Sequence, residues 1–140
     1  MDELRQWAEE HHTLFDALSS ALTAATDQAA RVGRAIQNGY DTTAALAILD
    51  RAASHFLSLI HDAQEYPAVP DPDTSTHLSA ALALWESAAQ SLIRLCTDLD
   101  AAGAVRVASE LDAGTEEFFR AGAALRRATG QPPDPTNPFN

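Results

Sequence analysis

Between Leu4 and Ile36 the chain returns to the same side at steps of three and four. The row runs through Trp7, Leu14, Leu18, Ala21, Ala25, Ala29 and Val32, with His11 taking one place in it. A period near 3.6 held over this distance fits an α-helix and no strand. Three further rows keep the same period. The second holds Ile48, Leu49, Ala52, Phe56, Leu59 and Ile60, and the third Leu78, Leu82, Trp85, Ala89, Leu92, Cys96 and Leu99. The fourth is Val107, Ala108, Leu111, Thr115, Phe118, Gly122 and Leu125. Asp, Glu, Arg, Gln and Ser occupy the opposite faces, as they do on helices that bury one stripe.

The breaks between the rows have recognisable chemistry. Asn38-Gly39 suits a left-handed cap at the end of a first helix running from about Asp2 to Gln37. Asp41 offers an N-cap oxygen to a second helix that reaches about Glu65. Pro67, Pro70 and Pro72 then predict a non-helical stretch over 66–73, because each removes a donor and restricts its neighbour. Thr74, Ser75 and Thr76 are the candidate caps of a third helix ending at Ala101-Ala102-Gly103. The fourth starts near Ala104 and ends at Thr129-Gly130. Short turns make antiparallel hairpins, so the expected fold is an all-α, antiparallel four-helix bundle of two helical hairpins. It forms one domain over 1–130, followed by a short, flexible, Pro-rich tail over 131–140. Gly114 and Gly122 lie on the inner side of the fourth helix, where a missing Cβ lets a neighbouring backbone approach.

Charge excludes several functions. With 20 acidic residues against nine basic ones, all arginine, the formal net charge is −11. Such a chain cannot neutralise a phosphate backbone by many cationic contacts, nor does it suit an anionic membrane surface. No run approaches about 18 uninterrupted apolar residues, and Met1–Gln6 lacks the basic flank of a signal peptide. The single Cys96 cannot close an intrachain disulfide. These features point to the cytoplasm, and the lysine-free, Ala- and Arg-rich composition to a GC-rich bacterial genome.

Catalytic patterns are missing. A di-metal bundle projects Glu and Glu-x-x-His inward, yet the stripes carry no Asp or Glu. Glu86, Glu110, Glu116 and Glu117 fall beside or opposite them, so no metal or other cofactor is implied. Cys96 stands on a core stripe, where a thiol behaves as a small hydrophobe. There is no Gly-x-Ser-x-Gly elbow and no phosphate-cradling glycine loop followed by lysine. His77 is expected to be exposed in the first turn of its helix.

What remains is an interaction surface. Trp7, His11, Leu14 and Phe15 are the candidate interface or pocket residues, with His11 the one polar group placed to orient a ligand or sense pH. The leading expectation is a non-catalytic acidic interaction module that acts as an adaptor, regulator or accessory subunit with a protein partner. The alternatives are a small-molecule binder or enzyme using an aromatic pocket near Trp7, His11 and Phe15, and an acidic decoy of a nucleic-acid-binding protein. A continuous first helix would span about 54 Å, longer than the others. Its overhang with Leu4, Trp7, Leu14 and Phe15 predicts a homodimer, unless a kink near Thr26-Asp27 folds it back.

Overall fold

A computed structural model describes residues 2–65, 69–98 and 101–130. They form α1 (Asp2–Gln37), α2 (Thr43–Gln64), α3 (Pro72–Leu95) and α4 (Ala101–Thr129), with no strand among them. Neighbours in sequence pack along one another, most extensively α3 with α4, whereas α1 and α4 touch only sparsely. The architecture is the expected four-helix bundle. The tail over 131–140 lies outside the described residues.

α1 is unbroken from end to end, including Thr26-Asp27, so no separate short helix forms. It stops in a Schellman turn: Gly39 takes φ +69°, Tyr40 N–H donates to Ala35 O (2.9 Å), and Gly39 N–H donates to Ile36 O (3.2 Å). Asp41 supplies its oxygen to α2 from just outside the formal cap, Thr42, by accepting from the N–H (3.0 Å) and the hydroxyl (2.8 Å) of Thr43.

Two boundaries differ from the sequence expectation. α3 begins at Pro72, inside the stretch assigned as non-helical, because a first-turn proline gives up a donor that would have no partner anyway. The cap is Asp71, whose carboxylate accepts from Thr74 N–H (3.0 Å) and Thr74 Oγ1 (2.6 Å), and not one of Thr74, Ser75 or Thr76. α3 then ends at Leu95 and α4 already starts at Ala101, so Gly103 belongs to the first turn of α4 and does not end α3.

The core centres on Trp85 and Phe56, both fully buried. Their ring centroids lie 5.6 Å apart, and Phe118 sits 4.9 Å from Trp85. Gly114 is explained here: a Cβ on it would fall 2.6 Å from Trp85 Nε1. The glycine therefore makes room for an indole and not, as the sequence suggested, for a backbone. Side-chain hydrogen bonds brace α3 from both sides. His77 Nδ1 donates to Glu117 Oε2 (2.7 Å), so His77 is half-buried against α4 rather than exposed. On the α2 side, Gln64 Nε2 (2.8 Å) and His61 Nε2 (3.3 Å) donate to Glu86.

By length and composition α2, with a window of mean hydropathy 1.2, is the one helix among the described residues that could cross a membrane. The sequence reading missed it by counting uninterrupted apolar runs, which Asp50 and Arg51 break. In the bundle its Leu49, Ala53, Phe56 and Ile60 are buried.

Candidate binding cleft

The seam between α1 and α4 has two ends of opposite character. At the first, α1 brings its N-terminal half onto the C-terminal half of α4. Trp7 and His11 stack at 4.7 Å, and His11 Nδ1 donates to Trp7 O at 2.6 Å, which fixes the proton on that nitrogen. Phe15 lies 5.5 Å from the Trp7 ring and 6.1 Å from Phe118 on α4. Arg5 Nη2 closes the end by donating to Thr129 O (2.7 Å). The structure thus gathers the four residues singled out from sequence, with Trp7, His11 and Phe15 buried and Leu14 half-buried. They form a closed plug. Leu4, Trp7 and Phe15, expected to seek a second copy, are covered within one chain.

At the other end the seam gapes. A cleft of about 480 Å³ separates the stretch Leu22–Ile36 of α1 from Ala104–Thr115 of α4. Side-chain size explains the difference. The closed end holds three large rings, which set the helices apart, whereas the lining of the open end includes Ala29, Ala30 and Gly33 on α1 and Ala104 and Ala108 on α4 between its larger aliphatic side chains. Small side chains cannot bridge a gap that rings have opened. Leu49 of α2 and Leu92 and Leu95 of α3 supply lining from the remaining helices.

Gly33 measures the emptiness directly. A Cβ placed on it would meet nothing within 4 Å. Ile36 and Ala108, which the periodicity assigned to the core, are instead exposed and line the cleft. Polar groups are few: Thr26, Thr115 and Asp112. Thr115 Oγ1 donates to Leu111 O (2.8 Å), so its oxygen is left to accept. Val105, Asp112 and Phe119 recur at intervals of seven, which places them along one edge of α4, and Val105 and Phe119 are 71% and 44% exposed. The apolar surface therefore continues onto this lip.

The other candidate chemistry is closed off. Cys96 borders a shallower recess with Asp50, donates its thiol to Leu92 O (3.3 Å), and is pushed up in pKa by burial first and the Asp50 carboxylate second. It is a poorer nucleophile than a free thiol. His12 pairs with Asp16 (3.0 Å) and His61 with Glu86. Among the described residues no three of His, Cys, Asp or Glu gather as a metal cage.

Sequence reasoning missed the cleft because its lining joins ordinary stripe residues such as Val32, Leu49 and Leu111 to small neighbours such as Ala30, Gly33 and Ala104, and none of them carries a chemical signal. One sign was available: Gly33 lies inside α1, about one turn before its end, without a turn of its own to make. Comparison of the chain with known protein families, with curated proteins and with solved structures finds no match.

Proposed function

We propose that this protein is a non-catalytic binding module and that the α1/α4 cleft is where it holds an apolar guest. The observation that carries the reading is the cleft itself. Its volume falls within the range of small-molecule sites, and its lining is apolar with few polar groups. Gly33 supports it further. A glycine inside a helix costs about 1 kcal/mol relative to alanine, and here no neighbour would resist a side chain. The fold gains nothing from that glycine, whereas a guest gains space. On this reading the guest sits away from Trp7, His11 and Phe15, whose packing already fills their end of the seam. The adaptor or regulator role expected from the sequence is kept, with the cleft as the working surface, and the unpaired thiol of Cys96 fits a reducing compartment such as the cytoplasm.

Titration with N-phenyl-1-naphthylamine, a neutral dye that brightens in apolar surroundings, tests the reading. The protein should give a saturable rise in emission, and Gly33→Leu should weaken it about tenfold while raising the unfolding temperature. Equal dye binding by the two proteins would remove the cleft as the site.

A further inference from the structure

Resting on that reading, we infer that the guest of the cleft is a lipophilic organic cation: an apolar body of one or two rings carrying a single positively charged nitrogen, seated beside Asp112. Among the described residues Asp112 is the one charged residue that lines the cleft. It stands at the mouth, exposed, and has no ion-pair partner among the described residues. Its own helix offers it none. The positions three and four away are Ser109, Thr115, Ala108 and Glu116, and Glu116 is itself engaged by Arg120 at 3.2 Å. Arg31, Arg34, Arg94 and Arg106 lie nearest in sequence to the lining, yet all four are exposed and none contributes to it.

The remaining polar surface agrees. The Thr115 hydroxyl spends its proton on Leu111 O and can only accept from a guest, which favours donors and positive charge. The net charge of −11 draws cations toward the surface and turns anions away before any contact forms. An apolar body is required because no second charged group among the described residues lines the space, and a second charge on the guest would be left without a partner there.

A matched set of rod-shaped dyes separates the guest's charge from its apolar body: diphenylhexatriene, its trimethylammonium derivative and its propionate derivative, followed by fluorescence anisotropy. The cation should bind tightest and the anion weakest, with the cation ahead of the neutral rod by about fivefold at low salt and by less at high salt. Asp112→Asn should bring cation and neutral rod level, and Asp112→Glu should keep the order. Gly33→Leu should weaken all three. A neutral rod that binds as well as the cation, as a groove for any apolar helix would allow, overturns the inference and leaves the cleft as a binding site. So does an order that survives Asp112→Asn. Binding of all three rods unchanged by Gly33→Leu overturns the inference and the cleft reading together. Helix content by circular dichroism and the unfolding temperature establish that each variant is folded.

Discussion

The two ends of the α1/α4 seam are built from the same pair of helices and differ almost entirely in side-chain size. One end is filled by Trp7, Phe15 and Phe118 and tied by Arg5 to Thr129 O. The other holds no aromatic ring and sets aliphatic residues, five of them small, around a cleft of about 480 Å³. In a bundle the helix axes are stiff, so the bulk that closes one end holds the other end open. Stability and binding are thereby assigned to different turns of the same helix. The consequence is that a substitution should have opposite effects depending on which end it touches.

The largest contrast should come from truncation. Phe15 is 2% exposed, and Phe15→Ala should cost about 3–5 kcal/mol in denaturant unfolding. Ile36 is 50% exposed at the open end, and Ile36→Ala should cost less than about 1 kcal/mol. Similar losses at both positions would mean that the seam is uniform and the cleft closes in solution.

Glycine replacement sharpens the comparison with a change of sign. Gly114→Ala should destabilise by about 1–3 kcal/mol, because its Cβ collides with Trp85 in spite of the better helix propensity. Gly33→Ala should instead stabilise by up to about 1 kcal/mol. Two gains, or two losses, in thermal melts would contradict the geometry.

The smallest effect concerns acid. Hydrogen bonding from His77, and then from Arg120, holds Glu117 below its ordinary value of 4.5. Gln64 does the same for Glu86, and the Thr74 hydroxyl holds Asp71 below 3.8. A carboxylate depressed in the folded state contributes stability above its unfolded pKa and loses it as pH falls through the folded one. Stability should therefore decline from about pH 4.5 downward. All three groups brace α3 and none lies in the α1/α4 seam. Glu117→Gln should flatten this limb slightly and should leave binding of the neutral dye at the cleft unchanged at neutral pH.

Helix periodicity made the fold legible before any coordinates. The four stripes and the Asn38-Gly39 stop lead to the right number of helices, and Asp41 to the right kind of bond. The α3 start was misplaced because Pro72 was read as a breaker, although a proline in the first turn has no donor to lose. Trp7, His11, Leu14 and Phe15 were picked out as one cluster, and the structure does bring them together. Their large side chains made them visible. The cleft was not, since its character lies in what is missing from Ala30, Gly33, Ala104 and Ala108. A stripe tells which side of a helix is apolar, but not whether the helix opposite comes close enough to cover it.

Trp85 carries a consequence of another kind. Its indole N–H is buried without an acceptor, enclosed by Phe56, Phe118 and the bare backbone of Gly114. An excited indole shifts to longer wavelength when surrounding dipoles reorient about it, and this one has none free to turn. Trp7 shares the buried indole N–H without an acceptor, but its ring stacks on the His11 imidazole at the closed end of the seam, a contact Trp85 does not make. The protein thus carries two optical signals of separate origin. The Trp85 component reports the integrity of the central core, and the Trp7 component reports the stacking of the plug at the closed end.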